Sequence, residues 1–334
     1  MSELGVVVIG RNEGERLMRC LASIEPGVPV VYVDSGSSDG SAERARERAA
    51  VVELDASLPF TAARGRNAGV DALVAAHPDV ALVQVVDGDC EVEPGWLAAA
   101  RDHLAAHPDV GVVFGRRRER HPEASLWNRL ADIEWDGVAG EADACGGDAM
   151  LRVAVLRRAG GYDPTLIAGE DPELCLRIRR TGARIVRLAR PMTVHDAKLL
   201  RFGQWWRRQQ RSGHAYADTV WRHRGAPDPR RARQLASVLL WGGAVPAAAL
   251  GLVLPTRGAS LLLLAGWAWP WRGLYRATRA LRSRGDALLY ASFVVLGKVA
   301  ECVGVATFAW NHGVRRRATR LIEYKGAAVR EPRT

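Results

Sequence analysis

The sequence predicts an α/β fold with a parallel sheet in the first two thirds of the chain and an apolar helical region in the last third. Short apolar runs, such as residues 4–9 and 28–33, each end in a polar loop that is followed by apolar residues at helical spacing. Repeated strand-to-helix units favour a parallel sheet wound with helices, whose ligands bind at the carboxyl ends of the strands. Three further apolar runs lie within residues 235–310.

Each of the first three units carries polar residues where a strand ends or a helix begins. The first strand ends in GRNE at residues 10–13, and the second ends in DSGSSDGS at residues 34–41. A third segment, RGRNAG at residues 64–69, opens a helix whose apolar positions include Val70 and Leu73. Because ligands in such sheets bind at strand ends, we expect these segments to face one crevice.

Two carboxylates follow another apolar run. Asp87 and Asp89 flank a glycine directly after VQVV at residues 83–86. Two hard oxygen ligands at the rigid end of a strand suit Mg²⁺ or Mn²⁺, and such an ion could also hold the diphosphate of a substrate. An isolated Asp-Gly-Asp is more often a solvated turn, so the surrounding segments decide between the two interpretations.

In their order along the chain, these segments resemble those of the family 2 glycosyltransferases. The opening strand of that family ends in Asn-Glu, found here at residues 12–13, and its second strand runs into a motif matched by VDSGSSD at residues 33–39. Four further motifs of the family have counterparts here: GRNAG at residues 65–69, Asp-Gly-Asp at residues 87–89, GGYD at residues 160–163 and GED at residues 169–171.

The resemblance covers residues 4–215 and implies a GT-A fold. It also implies an inverting transfer of sugar from a nucleotide diphosphate to an acceptor hydroxyl or phosphate. Two departures from the family pattern are Ser35, where the family has a second aspartate, and the Gly10-Arg11 step, where many relatives have Pro-Thr or Pro-Ala. The residues expected to bind the nucleotide sugar are Arg11, Asn12, Glu13, Asp34, Arg66, Asn67, Asp87 and Asp148.

The acceptor hydroxyl needs a general base, because an alcohol is a poor nucleophile at neutral pH. Asp171 is the expected base, and Glu170 is the reserve. The Asp171-Pro172 step also looks like a helix start, where Asp is a favoured N-cap and Pro a favoured first residue. The two roles can coexist, since a helix N-terminus keeps a carboxylate ionised. The match to the family's Glu-Asp signature favours catalysis.

A metal site is expected from Asp87, Asp89 and His195, with Mn²⁺ or Mg²⁺ as the cofactor. Asp89 is the leading ligand, and the resemblance implies that Asp87 shares the ion or lies near the ribose. His195 follows a strand-like segment at residues 183–188, and histidine is a frequent metal ligand. A single histidine without a spacing partner is equally consistent with an ordinary loop residue. Asp148 follows two glycines and is expected to shape the wall of the acceptor or the donor-sugar site instead of binding metal.

Composition bounds the class of protein and its compartment. The chain has 334 residues, of which 48% are hydrophobic and 25% charged, which suits a globular domain with an appendage. Five cysteines without metal spacing argue against a disulfide framework and for a reducing compartment. The first three residues lack the cationic start of a signal peptide, so we expect the catalytic domain to face the cytoplasm.

The net charge of +10 is concentrated in a basic, aromatic stretch. Residues 205–211, WWRRQQR, interleave Trp with Arg, and the basic pattern continues through residues 221–233. Arg and Trp at this density suit the headgroup region of a membrane. Because no nucleic-acid-binding motif accompanies the charge, nucleic acid is not an expected partner. We expect an interfacial helix at about residues 199–224.

Two apolar runs follow and resemble a membrane hairpin. Residues 235–255 have about the 20-residue length needed to span hydrocarbon, and residues 258–271 form a shorter second run. Cations before the first run and after the second fit a hairpin that opens toward the cytoplasm. The expected location is therefore the inner, cytoplasmic membrane. A buried, soluble helical domain is the alternative, since Pro246 and the mean hydropathy of -0.09 make these weak spans.

The third apolar run, residues 287–310, contains two charged residues. Lys298 and Glu301 are three residues apart and could pair on one helix face. A full crossing by this run would put the basic tail at residues 315–320 outside the cell. The sequence therefore favours an interfacial or re-entrant helix here.

The expected division is a GT-A catalytic domain at residues 1–225, which includes the interfacial helix, and membrane-associated helices at residues 226–334. The expected partners are a nucleotide sugar donor, a lipid-linked or saccharide acceptor, and the membrane. Two alternatives stay open. A dinucleotide-dependent oxidoreductase would need a Gly-x-Gly-x-x-Gly turn, which GRNEG at residues 10–14 does not provide. A membrane protein that binds nucleotide sugar without turnover would not need intact Asp87, Asp89 and Asp171.

Overall fold

The computed structural model describes residues 3–314, which pack as two compact units. We call them the sheet unit and the helical unit. The division expected at residues 225–226 stays a prediction, and the basic tail at residues 315–320 and the chain start at residues 1–2 lie outside the described part. The sheet unit comprises residues 3–121, 135–166 and 170–197, and the helical unit comprises residues 122–134, 167–169 and 198–314.

Among the described residues, nine strands form one mixed sheet in the sheet unit. In chain order they are β1 Leu4–Gly10, β2 Val30–Asp34, β3 Ala50–Glu53, β4 Leu82–Asp87, β5 Cys90–Val92, β6 Val110–Glu119, β7 Gly140–Glu141, β8 Ala149–Arg152 and β9 Arg184–His195. Their spatial order is β3-β2-β1-β4-β8-β6-β9-β5, and β7 pairs with β9. The first four strands are parallel, as predicted, whereas β8 is antiparallel to both β4 and β6.

Twelve α-helices lie within the described residues. A π-helical stretch, Leu239–Ala244, joins the ninth to the tenth, and a 3₁₀ stretch, Ala259–Trp267, precedes the eleventh. In chain order the α-helices are α1 Glu15–Ala22, α2 Ser41–Ala45, α3 Ala62–Ala76, α4 Trp96–Ala106, α5 Leu126–Glu134, α6 Val153–Arg158, α7 Glu170–Arg180, α8 Phe202–Arg222, α9 Pro229–Val238, α10 Val245–Gly251, α11 Ala268–Arg279 and α12 Arg284–Ala309.

The sheet is covered on both faces, which explains why its central strands are continuous apolar runs. On one face, Val8 of β1 packs in a core with Leu17 of α1 and Trp96 of α4. On the other face, Val7 packs in a second core with Leu73 of α3. Burial on both sides holds β1 and β4 rigid, so the polar residues at their carboxyl ends have fixed positions.

Two local predictions change. Helix α7 begins at Glu170, directly after Gly169, whose φ is 78°. Asp171 therefore lies in the first turn of the helix, and the predicted N-cap role is wrong. Strand β9 extends to His195, beyond the predicted end at residue 188, because β6 and β5 both pair with it along its length.

In the helical unit, α8 and α12 lie side by side and run in the same direction. The rings of Trp205 and Phe293 are 5.5 Å apart near the first half of each helix, and those of Trp221 and His312 are 4.9 Å apart near their ends. The helix predicted at about residues 199–224 is present as α8. The predicted pairing of Lys298 with Glu301 on α12 is also confirmed, at 2.8 Å.

Two helical stretches are long and apolar enough to cross a membrane by length and composition, Pro229–Gly251 and Arg284–Val314. The second run of the predicted hairpin, residues 258–271, is not one of them, because its apolar part ends at Arg272 and begins as a 3₁₀ stretch. Length and composition thus select the first and third runs, whereas the sequence pattern favoured the first and second.

Close glycine contacts hold α8 against α12, and they give a stability prediction. A Cβ atom on Gly213 would lie 1.9 Å from the backbone oxygen of Glu301, so Gly213→Ala must push the helices apart. We expect a loss of about 1–3 kcal/mol in the free energy of unfolding, measured with urea in detergent. The matched control is Gly203→Ala, on the same helix with no atom within 4 Å, which should be neutral or stabilising. Equal effects of the two changes would contradict the packing described here.

Candidate active site

Three parallel strands bring their polar ends to one edge of the sheet. In the pairing of β1 with β2, Gly10 lies opposite Asp34. In the pairing of β1 with β4, Ile9 lies opposite Asp87. The loops after these strands therefore lie side by side, as the sequence predicts.

The predicted residues Asn12 and Asp34 organise the loop after β2. The Asn12 side-chain oxygen accepts the N–H of Ser38 at 2.8 Å, and the Asn12 N–H donates to the Ser37 hydroxyl at 2.9 Å. Asp34 is buried and accepts the N–H of Ser37 at 2.7 Å and the hydroxyl of Tyr32 at 2.8 Å. Burial and the Asp34 carboxylate raise the pKa of Tyr32, so this hydroxyl stays a donor.

Arg11 and Glu13, on either side of Asn12, have partners of their own within the sheet unit. The Arg11 guanidinium lies 5.7 Å from the centre of the Phe60 ring. A Glu13 carboxylate oxygen lies 2.6 Å from a guanidinium nitrogen of Arg16. A contact of either residue with a nucleotide stays a prediction.

One buried arginine links three of the predicted carboxylates. Arg66, on α3, lies 3.0 Å from Asp87, 2.8 Å from Glu170 and 3.0 Å from Asp171. Its side chain is only 3% exposed, and a guanidinium remains charged in proteins. Arg66 therefore ties the end of β4 to the first turn of α7 and brings the predicted base next to the Asp-Gly-Asp motif.

The pKa of Asp171 suits a general base. Burial raises it to about 7, with Arg66 opposing this rise and the Glu170 carboxylate adding to it. The Asp171 Oδ1 atom accepts no hydrogen bond from the residues that the structure describes, although Arg66 lies within ion-pair distance. A carboxylate with a pKa near neutrality can act as a general base when an acceptor hydroxyl comes within hydrogen-bond distance of it.

A second arginine, Arg117 of β6, joins the same cluster. It lies 2.9 Å from Asp148 and 3.5 Å from Asp87, and its guanidinium lies 5.5 Å from the centre of the Trp135 ring. Four carboxylates and two guanidiniums then give 2 − 4 = −2 charges when all are ionised. A cluster with this excess of negative charge favours a bound cation.

Two residues that were predicted to bind the donor form hydrogen bonds within the protein. Asp148 is fully buried, and its carboxylate accepts the N–H of Asp87 at 3.1 Å and the hydroxyl of Thr193 at 2.6 Å. Asn67 bonds with its side chain to both the N–H and the carbonyl of Tyr162, at 2.9 and 2.8 Å. Asp148 thus fixes the backbone of Asp87, and Asn67 fixes the backbone of the Gly-Gly-Tyr-Asp turn.

Asp89 and His195 meet because β5 and β9 are paired. Cys90 lies opposite His195 in this ladder, and His195 Nε2 is 3.1 Å from Asp89 Oδ2. On the other side of the ring, Nδ1 lies 3.9 Å from Glu119, whose carboxylate also accepts the N–H of Ala197 at 3.2 Å. Burial raises the pKa of Glu119 to about 7, and its backbone hydrogen bonds oppose this rise.

The donor set fits a divalent metal at this point. Asp89, Cys90 and His195 offer ligand atoms within 4.8 Å of one another, and so do Asp87, Cys90 and Asp148. Burial raises the pKa of the Cys90 thiol well above its ordinary value, with Asp148 adding to the rise. Carboxylate and imidazole are therefore the available ligands, and the carboxylates suit Mn²⁺ and Mg²⁺. Asp87 belongs to the second of these groups and not to the group of Asp89 and His195. Its carboxylate lies 3.0 Å from Arg66 and 3.5 Å from Arg117.

Several residues of this site were not predicted from the sequence. Arg117 and Glu119 lie in a charged segment, residues 116–119, that looks like a solvent-exposed loop. They reach the site because β6 pairs with β9. Trp135, whose ring packs edge-on against His195 at 4.8 Å, gave no sequence signal either.

Comparisons with known proteins identify relatives of this chain. Residues 5–157 match the model of glycosyl transferase family 2. The pre-mycofactocin glycosyltransferase of Mycobacterium tuberculosis (strain ATCC 25618 / H37Rv) is 27% identical over 259 residues, 73% of this chain and 52% of that protein. The succinoglycan biosynthesis protein ExoA of Rhizobium meliloti (strain 1021) is 25% identical over 256 residues, 72% of this chain and 77% of that protein. The chain thus spans about half the length of the first of these relatives.

A solved structure shares the fold. The mannosyltransferase PcManGT from Pyrobaculum calidifontis, in complex with GDP-Man and Mn²⁺, superposes with a TM-score of 0.57 at 19% identity. The superposition covers 92% of this chain and 87% of that chain. The predicted GT-A fold is therefore confirmed. The ordered motifs and the match over residues 5–157 identify this part of the chain as a glycosyltransferase domain of the family 2 type.

Proposed function

We propose that this protein transfers a sugar from a nucleotide diphosphate donor to an acceptor hydroxyl, with inversion at the anomeric carbon. The observation that carries the proposal is the buried ionic cluster in which Arg66 joins Asp87 to Glu170 and Asp171. It places a carboxylate with a pKa of about 7 beside the Asp-Gly-Asp motif. The match of residues 5–157 to the model of glycosyl transferase family 2 supports this activity.

Each residue of the cluster has a role in the proposed reaction. Asp171 takes the proton of the acceptor hydroxyl, the oxygen forms a bond to the anomeric carbon, and the bond from that carbon to the donor diphosphate breaks. Arg66 keeps Asp171 in place and limits its pKa. Asp34 and Asn12 shape the pocket for the nucleoside, while Asp148 fixes the backbone of Asp87.

Asp89 and His195, with Asp87, would hold Mn²⁺ or Mg²⁺. When bound, such an ion neutralises the charge that develops on the departing diphosphate. The Glu119 carboxylate lies 3.9 Å from His195 Nδ1, on the side of the ring away from Asp89, where carboxylates commonly stand beside metal-binding histidines. The Mn²⁺ in the complex of PcManGT supports a divalent metal as the cofactor.

The acceptor is proposed to be a saccharide or a lipid-linked molecule, and the protein is proposed to act at the cytoplasmic membrane with its catalytic domain in the cytoplasm. The name of the ExoA relative, which refers to succinoglycan biosynthesis, supports a saccharide acceptor. The two long apolar stretches support membrane association.

Hydrolysis of a panel of nucleotide sugars by the purified protein, with and without Mn²⁺, tests the activity. A lack of hydrolysis and transfer across the panel would contradict it.

Removing Asp89 should abolish metal-dependent donor binding. We expect Asp89→Ala to weaken Mn²⁺ binding by about 100-fold or more, because loss even of residues that only orient a ligand costs 10–100-fold. Calorimetry with Mn²⁺ alone and with donor plus Mn²⁺ measures this directly. Glu91→Ala is the control, since Glu91 pairs with Arg19 at 2.8 Å instead of facing His195. Equal Mn²⁺ affinity in wild type and Asp89→Ala would exclude the proposed site.

A further inference from the structure

The helical unit exposes a cluster of leucines on one hairpin, residues 239–267, which we call the leucine hairpin. Its arms are the π-helical stretch with α10 and the 3₁₀ stretch, and they are joined by a turn. Leu250, Leu254 and Leu262 are 67%, 88% and 76% exposed. Soluble proteins rarely expose an apolar surface of this extent. Five further leucines of the hairpin are also exposed: Leu239, Leu240, Leu252, Leu261 and Leu263.

The arms of the leucine hairpin satisfy their polar groups between themselves. The Ser260 hydroxyl donates to the carbonyl of Ala249 at 2.7 Å, and the Trp267 indole N–H donates to the carbonyl of Trp241 at 3.0 Å. Polar groups turned inward in this way allow a segment to enter hydrocarbon without leaving hydrogen bonds unmade. The hairpin carries one charged residue, Arg257, in its turn.

The surroundings of the hairpin base identify the partner as an anionic lipid bilayer. Trp241 and Trp267 lie at the base, and Trp269, just beyond it, is 82% exposed. Tryptophan is enriched where protein meets the membrane surface, and arginine is attracted by anionic headgroups. The helices before and after the hairpin both carry arginines: Arg230, Arg231 and Arg233 on α9, and Arg272, Arg276 and Arg279 on α11.

Helix α12 is long enough to cross a membrane, but the neighbouring helix α8 carries too many charged residues to enter hydrocarbon. α12 lies beside α8, and a Cβ atom on Gly304 would be 2.0 Å from the backbone oxygen of Gln210. A crossing α12 would draw α8 into the hydrocarbon, where each charged side chain is strongly unfavourable. Packing among the helices of its own unit covers part of α12, since a third of its most apolar window is buried. The charged residues of α8 are Arg207, Arg208, Arg211, Asp218 and Arg222.

The leucine hairpin leaves this helix bundle at Gly242. A Cβ atom there would lie 1.8 Å from the backbone oxygen of Lys298 on α12, so Gly242 is held at the bundle. From Gly242 to Leu254 the chain rises about 18 Å at 1.5 Å per residue. Hydrocarbon is about 30 Å thick. The hairpin is therefore long enough to enter one leaflet and too short to cross both.

We propose that residues 243–266 insert into one leaflet of an anionic bilayer as a monotopic hairpin, and that neither this hairpin nor α12 crosses the membrane. The proposal rests on the membrane association proposed above and does not depend on the sugar transfer. It replaces the crossing hairpin that the sequence predicts with a shallower anchor.

Topology labelling tests whether the tip stays inside. The variants Arg257→Cys and, separately, Gly313→Cys at the end of α12 are made in the full-length protein, and intact spheroplasts are treated with a membrane-impermeant maleimide. We expect no labelling of either site above the wild-type background from outside, and labelling of both in detergent. Labelling of Arg257→Cys from outside would show that the hairpin crosses, and labelling of Gly313→Cys would show that α12 does.

Charge substitutions test insertion itself. Leu254→Asp combined with Leu262→Asp should lower retention on vesicles of phosphatidylcholine and phosphatidylglycerol, measured by flotation after detergent removal, by about tenfold or more. Leu58→Asp, at an exposed leucine of the sheet unit, is the matched control and should leave retention unchanged. Arg257→Leu should increase retention on the vesicles, because it removes the charged side chain of the hairpin that would have to enter the leaflet. Release of the wild type by high salt, or equal retention of the double variant and the control, would overturn the proposal.

Donor hydrolysis in detergent is measured on the same variants. The leucine substitutions should leave hydrolysis at the wild-type rate, which also shows that the sheet unit is folded. Failure of hydrolysis in the wild type with normal vesicle retention would count against the proposed sugar transfer alone, and the reverse result would count against the hairpin alone.

Discussion

Replacing Asp171 with asparagine should lower the rate of sugar transfer by about 10²–10⁴-fold, the usual contribution of a general base. Asparagine has nearly the same volume, and Asp171 lies within the first turn of α7 instead of capping it, so the fold should be retained. Donor affinity should also be retained, because the base acts on the acceptor. Single-turnover transfer rates and calorimetric donor affinities measure the two effects separately.

Glu170→Gln is the control for this experiment. Glu170 shares Arg66 with Asp171 and precedes it in the same helix, so its removal perturbs the same ionic cluster. We expect a smaller loss of rate than for Asp171→Asn. A larger loss would assign the base to Glu170, and near-normal turnover of Asp171→Asn would remove Asp171 from the chemistry.

The pH dependence gives an independent check on the same residue. The base must be deprotonated, so kcat should fall about tenfold per pH unit below a pKa of about 7 and level off above it. The raised pKa also affects folding. Because protonation favours the folded state, the contribution of Asp171 to the free energy of unfolding is present below about pH 4 and is lost as pH rises through 7. An acid limb of kcat near pH 4 would contradict the assignment.

The parallel half of the sheet could be predicted because its signals are local. Each of the strands β1, β2 and β4 is a short apolar run followed by a polar loop, and parallel pairing then brings Asn12, Asp34 and Asp87 to one edge. The motif order added the candidate base, since Asp171 stands in the Gly-Glu-Asp match. No long-range information was needed for these residues beyond the rule that parallel strands share an edge.

The other half of the site depends on contacts between distant segments, which a single sequence does not reveal. Glu119 reaches His195 because β6 and β9 pair, and this pairing contains register shifts that no local pattern indicates. The roles of Asn67 and Asp148 also depend on distant partners. Both were expected at the donor, and in the structure they bond to Tyr162 and to the backbone of Asp87.

The apolar runs show the same limit. By length and composition alone, α12 qualifies as a membrane span. Its packing beside α8 offers another reason for part of its apolar surface. A helix buried among other helices and a helix that crosses a bilayer have similar sequences. The leucines at residues 250–263 favour the proposed insertion of that segment, because the described part of the chain leaves them exposed.

Arg66→Met should lower the free energy of unfolding by about 3–5 kcal/mol, the cost of leaving buried charges without their partner. Asp87, Glu170 and Asp171 lie within 3.0 Å of this guanidinium, and methionine fills much of its volume without the charge. In the variant, loss of the opposing guanidinium should raise the pKa of Asp171 further. Because its folded-state pKa would then exceed the unfolded one by more than in wild type, the variant should regain stability relative to wild type as pH falls from 8 to 5.

Urea unfolding of the full-length protein in detergent at both pH values measures these effects. Arg101→Met, on the exposed face of α4, is the matched control, since its pairing with Asp102 is at the surface and should contribute at most about 1 kcal/mol. Arg66→Lys separates charge from geometry, because an ammonium restores the charge but not the planar set of donors that reaches three carboxylates. Its stability should fall between wild type and Arg66→Met. If Arg66→Met cost no more than Arg101→Met, or if its deficit grew as pH fell, the three carboxylates would not depend on Arg66, and the basis for placing the predicted base beside the Asp-Gly-Asp motif would be lost.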